Sequence, residues 1–332
     1  MANMKVGING FGRIGKVFFR AAYQKLDIAG INSLDDLDGM VHLLKYDSAH
    51  GIFDAEVSHD GENLIINGKK IPVSNTKDPG QIPWGKWGVE MVMECTGALK
   101  GKDDYQKHIS AGAKKVMISA PADGVDITVV YGVNHKLYNP ATHTVVSNAS
   151  CTTNCLAPLA KVLNDNFQIV NGTMMTIHSY TNDQRILDST HKDMRRARAA
   201  AVSMIPTTTG AAKTVGLIIP ELKGKLDGLS VRVPTPNVSL VDFTFNTEKE
   251  ITKDTINDAL RKAAASGDLK GVLAVEEKEL VSIDFNGNKY SSIVDAKTTM
   301  TVGPKTGKVL SWYDNEVGFS NRMVDMALYM MK

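Results

Sequence analysis

The sequence has little excess charge of either sign. Its 38 lysines and arginines face 36 aspartates and glutamates, a formal charge of +2 over 332 residues. So small an imbalance argues against a surface built mainly to bind DNA or anionic lipid. No apolar run approaches the ~18 residues that a membrane helix needs. The start, Met1 to Lys5, lacks the basic opening, long apolar stretch and small-residue cleavage site of a signal peptide. Cysteine is scarce: Cys95, Cys151 and Cys155 are odd in number and too few for a disulfide framework. No C-x-x-C cluster with further ligands points to zinc, so no metal is expected. These absences fit a reducing compartment, with the cytoplasm the simple reading. Repeats, low-complexity tracts and Pro/Ser-rich linkers are missing too. A chain of this length suggests about two domains, with a boundary inside continuous globular sequence.

What is present alternates. Lys5 to Ile8 reads as a short buried strand, and Arg13 to Tyr23 as a helix with Ile14, Val17, Phe18 and Ala21 on one face. Further strands are expected at 27–32, 89–95, 115–119 and 143–147, with a helix near 103–111. Asp60-Gly61 and Asn67-Gly68 are hairpin turn signals, so a small β-meander should decorate this part. Strands alternating with helices imply a doubly wound parallel sheet over residues 1–150. After about residue 150 the segments lengthen: alternating runs at 172–180 and 229–245, the latter broken by Pro234 and Pro236, suggest an α+β domain with a mixed, largely antiparallel sheet over 151–317. A helix is expected over 254–265, capped by Asp254 and ended by Gly267. The last stretch, 318–332, reads as a helix with Met323, Met326, Ala327 and Met330 on one face, packing near the first domain.

Gly10-Phe11-Gly12-Arg13-Ile14-Gly15 matches G-x-G-x-x-G directly after a strand and at the opening of a helix. In that setting the glycines permit a tight turn and close approach to a pyrophosphate, and the helix N-terminus offers free N–H groups. The second strand should end in an acid that accepts the adenosine ribose hydroxyls. Here it ends Ile31-Asn32-Ser33, with no charge to repel a 2′-phosphate. Asp35 or Asp36 stands close enough to substitute, and the choice between NAD and NADP stays open.

The run Ser147 to Cys155 follows a strand and precedes apolar residues at helical spacing (Leu156, Leu159, Val162, Leu163). That places Cys151 near a helix N-terminus, where the dipole and free amides should lower a thiol pKa. Cys155 lies a turn further on and should point elsewhere, and Cys95 sits in an apolar strand as a structural residue. A thiolate needs a base. His178, at the end of a strand-like run, has the best claim, since the other seven histidines fall in loops, turns or surface helices. For anions, His191 to Arg198 is the densest basic run, Pro206 to Lys213 supplies hydroxyls and a glycine, and Arg232 is an isolated cation in a strand.

Together these motifs resemble the phosphorylating glyceraldehyde-3-phosphate dehydrogenase family, bacterial branch. The match runs from Val6-Gly7-Ile8-Asn9-Gly10-Phe11-Gly12-Arg13-Ile14-Gly15 to Ser311-Trp312-Tyr313-Asp314-Asn315-Glu316. Its most specific stretch is the Ser-Asn-Ala-Ser-Cys-Thr-Thr-Asn-Cys-Leu-Ala-Pro at 147–158. The resemblance implies that Cys151 is the nucleophile and His178 its base. It implies that Thr181 and Arg232 hold the substrate phosphate, and that Ser150, Thr152, Arg196, Thr209 and Gly210 hold the attacking inorganic phosphate. It implies cofactor contacts from Asn9, Gly10, Phe11, Gly12, Arg13, Ile14, Ser33, Lys77, Thr96 and Ser119, with Asn315 on the nicotinamide amide. It implies oxidation of glyceraldehyde 3-phosphate through a cysteine thioester, and a homotetramer in which 180–202 lines a neighbour's cofactor site.

Three departures bear on the cofactor. Ser33 stands where NAD-specific members of the family carry aspartate, Ser189-Thr190 replaces a Leu-Pro pair, and Phe319 replaces a common tyrosine. The small hydroxyl residues at 33, 189 and 190 point to acceptance of NADP. Two rivals remain: an erythrose-4-phosphate dehydrogenase, which the intact Pro206 to Lys213 cradle disfavours, and a nucleic-acid or surface-binding protein, which Cys151 and His178 disfavour.

Overall fold

Short apolar runs separated by amphipathic stretches fold in the first part of the chain as the alternation predicts. A computed structural model describes residues 4–332. The reading of Met1 to Asn3 as an ordinary start lies outside the described residues. Contacts divide the chain into two units, one made of residues up to 129, 135–149 and 320–332, the other of 130–134 and 150–319.

The first unit holds β1 (Lys5–Asn9), α1 (Arg13–Ala22), β2 (Asp27–Asn32), α2 (Leu37–Lys45), β3 (Tyr46–Asp47), β4 (Gly51–Ile52), β5 (Val57–His59), β6 (Asn63–Ile66), β7 (Lys69–Ser74), α3 (Trp84–Trp87), β8 (Met91–Glu94), α4 (Lys102–Ser110), β9 (Lys115–Ile118), β10 (Ile127–Thr128) and β11 (Val145–Ser147). Its main sheet runs β10-β11-β9-β8-β1-β2-β7-β6-β5. Every pair from β10 to β7 is parallel, and only the β7-β6 and β6-β5 pairs are antiparallel. Parallel strands are covered on both faces, so they read as continuous apolar runs; all four residues of β8 are buried.

Four expectations for this unit need correction. The hairpins do not decorate the sheet but extend it, because β7 pairs in parallel with β2. Helix α1 buries Gly15, Lys16, Val17, Phe18, Phe19 and Ala22, while Ile14 and Ala21 are only half-buried. The aromatic reason is local, since Phe19 packs edge-on against Phe11 at 5.7 Å and Phe53 at 6.4 Å. Helix α2 was not expected, although Asp36 caps it by accepting from the Gly39 amide at 2.7 Å; only Met40 and Leu44 of its apolar residues are buried, which blurs the periodicity. His108 and His135 are not surface residues. His108 is fully buried on α4 and His135 nearly so.

The second unit holds α5 (Cys151–Phe167), β12 (Ile169–Ser179), β13 (Ile205–Thr208), α6 (Ala211–Ile218), β14 (Leu226–Val233), β15 (Ser239–Thr247), α7 (Lys253–Ala265), β16 (Leu273–Glu276), β17 (Ser292–Asp295), β18 (Met300–Val302) and β19 (Thr306–Tyr313). The sheet order is β13-β14-β12-β15-β19-β17-β16, with β18 on β19. Two pairs, β12-β14 and β16-β17, are parallel and the rest antiparallel. Strand β15 alternates strictly, burying Val241, Phe243 and Phe245. Removing one of those rings would cost about 3–5 kcal/mol. The cap of α7 is Thr252 rather than Asp254. Its hydroxyl accepts from the Thr255 amide at 3.1 Å, and Thr255 reciprocates. Helix α8 (Val317–Met330) ends the chain with Met323, Met326, Ala327 and Met330 buried, as its pattern predicts.

Candidate active site

Cys151 opens α5 because the chain turns sharply just before it. Ala149 has φ of 56°, a left-handed conformation for a residue with a side chain, and is fully buried. Such a conformation costs on the order of 1–3 kcal/mol and persists only where its surroundings impose it. Ser150 then caps the helix, its Oγ accepting from the Thr153 amide at 3.0 Å. The sulfur is thereby fixed at the N-terminal end of a 17-residue helix.

His178 arrives from β12. Its Nε2 lies 3.5 Å from Cys151 Sγ. Parallel pairing of β12 with β14 puts His178 opposite Arg232, and Arg232 Nη1 comes within 2.8 Å of His178 Nδ1. The same Nδ1 is 2.7 Å from the Ser179 carbonyl oxygen. One nitrogen cannot satisfy both neighbours. Donating to the carbonyl leaves the Nε2 lone pair facing the sulfur, ready to take a proton. Accepting from Arg232 places the proton on Nε2, ready to be given back. Both tautomers are within reach of a small shift.

Burial dominates the electrostatics. It pushes His178 down to about 3, and the Arg232 charge adds to the effect. It pushes the Cys151 thiol up, against the pull of Arg232 and of Thr152. The expected lowering of the cysteine pKa by the helix terminus is therefore outweighed. A proton passing from Sγ to Nε2 creates adjacent opposite charges that stabilise one another.

Tyr313 completes the cluster and was missed in the sequence. Its hydroxyl lies 2.9 Å from Thr152 Oγ1 and 2.8 Å from Thr176 Oγ1, tying the first turn of α5 to β12. Its ring stands edge-on to His178 at 6.0 Å. The available signal was its place at the inward positions of the alternating strand β19. Cys155 is kept apart as expected. It is fully buried among Ser292 and Ser311, with a thiol pushed up to about 12.

Several anion-site candidates gather nearby. Arg232 is half-buried, and its Nε is buried with no hydrogen-bond partner among the described residues, as an unfilled anion contact would leave it. Arg196 lies close enough for its charge to act on both His178 and Arg232. It is occupied, however, by an ion pair with Asp183, and its Nε reaches Thr207 Oγ1 at 3.0 Å. Thr209 and Gly210 sit at the start of α6, where a Cβ on Gly210 would meet nothing within 4 Å. The Thr181 amide is engaged by the Gln184 side chain at 3.0 Å. Asn315 Oδ1 accepts from Ser179 Oγ at 2.9 Å and Ser239 Oγ at 3.0 Å, which fixes the orientation of its amide. Phe319 is buried.

In the first unit the glycine turn is shaped as a dinucleotide loop requires. Gly10 has φ of +88°, and a Cβ on Gly15 would strike the Gly10 carbonyl at 2.1 Å. Gly12, the N-cap of α1, has open space around it, no side chain caps this helix, and its first turn holds no acid. These features fit a pyrophosphate. Phe11 is buried, and Arg13 pairs with Asp47 at 2.6 Å. Asn9 and Thr96 both bond to Glu94. Ser119 lines a cleft of about 240 Å³ at the ends of β8 and β9, Ile14 is half-buried, and Lys77 is exposed after β7. Among the described residues no group of acids, histidines and cysteines could hold a metal ion. None of their helices is long and apolar enough to cross a membrane.

Residues 4–102 match the family model described as glyceraldehyde 3-phosphate dehydrogenase, NAD binding domain, and residues 150–315 match that of the C-terminal domain. The chain belongs to the glyceraldehyde-3-phosphate dehydrogenase family. It is 60% identical to the glyceraldehyde-3-phosphate dehydrogenase of Geobacillus stearothermophilus, over 98% of each chain. Identity is 59% with glyceraldehyde-3-phosphate dehydrogenase 1 of Bacillus subtilis, covering 99% of this chain and 98% of the relative. It is 53% with the enzyme of that name from Streptomyces coelicolor, over 98% of each. Family membership makes the chain an NAD-dependent oxidoreductase, in agreement with the resemblance read from its motifs.

Proposed function

We propose that the chain oxidises D-glyceraldehyde 3-phosphate with NAD and inorganic phosphate to 1,3-bisphosphoglycerate, as a step of glycolysis or gluconeogenesis. The observation that carries this reading is Cys151 Sγ at 3.5 Å from His178 Nε2 beside Arg232. Sγ attacks the aldehyde carbon while its proton passes to Nε2 and from there to the new oxyanion, giving a thiohemiacetal hydroxyl and leaving His178 neutral. Bound NAD supplies the hydride acceptor. As hydride leaves, His178 takes the hydroxyl proton and the carbon becomes a thioester on Cys151. An oxygen of inorganic phosphate then attacks the thioester carbon, and Sγ departs as the thiolate. Backbone amides at the start of α5 stabilise the oxyanion that forms in each addition.

We assign Arg232 and Thr181 to the substrate phosphate. Ser150, Thr152, Arg196, Thr209 and Gly210 take the inorganic phosphate, for which Arg196 must leave Asp183. Asn9, Gly10, Phe11, Gly12, Arg13, Ile14, Ser33, Lys77, Thr96, Ser119 and Asn315 are assigned to the cofactor. Residues 1–150 with 318–332 serve as the dinucleotide domain, and 151–317 as the catalytic domain. Ser33 brings no charge to the end of β2, and Ser189 and Thr190 offer hydroxyls, which together support acceptance of NADP beside NAD, with kcat/KM values within a thousandfold of each other. Ile186, Leu187, Met194, Val202 and Met204 are 75–86% exposed, which supports burial of this stretch in a cytoplasmic homotetramer.

The test follows absorbance of the reduced nicotinamide with glyceraldehyde 3-phosphate, offering NAD or NADP with and without inorganic phosphate. Reduction that requires phosphate is expected. Reduction indifferent to phosphate would move the reading to an erythrose-4-phosphate dehydrogenase, which the close relatives do not favour. A preference for NAD beyond a thousandfold would remove NADP from the proposal.

A further inference from the structure

The end of β2 carries an arrangement that the residue type at position 33 does not foretell. Ser33 is only 4% exposed, so its hydroxyl is not what an approaching nucleotide meets. That hydroxyl is 3.2 Å from Asp35 Oδ2 and also accepts from the Asp35 amide at 3.3 Å. The Asp35 side chain is 53% exposed, and Oδ2 lies 3.9 Å from Lys16 Nζ. Lys16 is itself buried on α1, where its ammonium bonds to the Phe11 carbonyl and lies 5.3 Å from the centre of the Phe11 ring. The neighbouring acid, Asp36, is already used as the cap of α2. Of the two acids beyond the strand, one is engaged and the other is tethered and outward-facing.

We infer that Asp35 is the residue that sets cofactor choice, its carboxylate held by Ser33 and Lys16 so that it accepts the adenosine ribose hydroxyls of NAD. In doubly wound nucleotide-binding domains an acid at the end of the second strand does this work and repels a 2′-phosphate. Here the acid has moved two residues along the chain, and the serine that replaces it supports it from behind. The inference rests on the family's use of NAD and deepens it, by naming the residue that makes NAD the better ligand and NADP the tolerated one.

The test is calorimetric titration of NAD and of NADP into the full-length protein without substrate. Asp35→Asn keeps the side-chain shape and its hydrogen bonds to Ser33, and removes only the charge. It should weaken NAD about tenfold and strengthen NADP about tenfold, as expected for a charged hydrogen bond lost and a repulsion relieved. The ratio of the two dissociation constants then moves about 100-fold. Asp36→Asn, which touches only the helix cap, should leave the ratio unchanged. A ratio within twofold of the parent in Asp35→Asn, or an equal shift in Asp36→Asn, overturns the inference while leaving the family reading intact. If the parent protein binds neither nucleotide, both fail together.

Discussion

In each unit a buried histidine stands against an acidic or nucleophilic partner, His108 in the first and His178 in the second, and the two are built to opposite ends. In the first unit Trp84 Nε1 donates to His108 Nδ1 at 3.0 Å, so the ring proton must sit on Nε2, which meets Glu94 Oε2 at 3.1 Å. The remaining capacity of Glu94 is filled by the Asn9 amide at 2.6 Å, the Thr96 amide at 2.8 Å and the Thr96 hydroxyl. Asn9 in turn accepts from Asn32 at 2.8 Å. Every donor has one acceptor, and one tautomer satisfies the whole network. In the second unit His178 has two claimants for Nδ1 and a sulfur at Nε2, and Arg232 keeps an unsatisfied Nε. A satisfied network rigidifies, whereas one that can be completed in two ways can move a proton. Burial alone distinguishes nothing here. The count of claims on each nitrogen does.

The contrast can be broken most forcefully at His178. His178→Asn should lower kcat by about 10²–10⁴-fold, the usual worth of a general acid–base group, with little change in denaturant midpoint. His108→Ala should do the reverse. It strands the Trp84 N–H in the interior, removes one of the two donors to Glu94 Oε2 and opens a cavity, for a loss of about 3 kcal/mol in unfolding free energy, with kcat of the folded fraction within a fewfold of the parent. If His108→Ala proved the more damaging to kcat, the division into a structural and a chemical histidine would be wrong.

A pH series sharpens the comparison further. His178 is held near 3 in the folded chain against an ordinary value near 6.5. Between those values the unfolded chain binds a proton that the folded chain does not, so stability falls as pH falls through that window. At pH 5 the deficit is about 2 kcal/mol. Urea titrations at pH 7 and pH 5 should show it in the parent and lose it in His178→Asn. An equal pH dependence in both proteins would assign the acid sensitivity elsewhere. The smallest effect is expected at Tyr313→Phe. Losing one hydroxyl from the Thr152 and Thr176 contacts should cost about 1 kcal/mol and lower kcat a fewfold through looser placement of Cys151, while KM for NAD stays put.

Helices and strands with strong local signals were legible from the residues. Strand β2 falls at 27–32 as its pattern predicts, α5 begins at Cys151 with Ser150 as its cap, and the two prolines at 234 and 236 separate β14 from β15. Where local signals competed, they misled. Asp254 looked like a cap, but Thr252 forms the reciprocal box with Thr255. His108 looked like a surface residue because its acidic partner lies fourteen positions earlier and its tryptophan partner twenty-four.

By itself, the order of residues determined the class of each unit, the glycine turn and the place of Cys151 at the start of a helix. Those depend on periodicity, turn chemistry and caps, all of which act over a few neighbouring residues. Only the tertiary structure decided that Arg232 shares a nitrogen with Ser179, that Tyr313 braces the cysteine helix, and that Asp35 stands in front of Ser33 rather than Ser33 facing outward. The first two contacts join residues 53 or more positions apart. Strand pairing and burial set them, and neither leaves a mark on the local sequence. The third is local in sequence but turns on which side of the chain is buried, and that is settled by what packs against it.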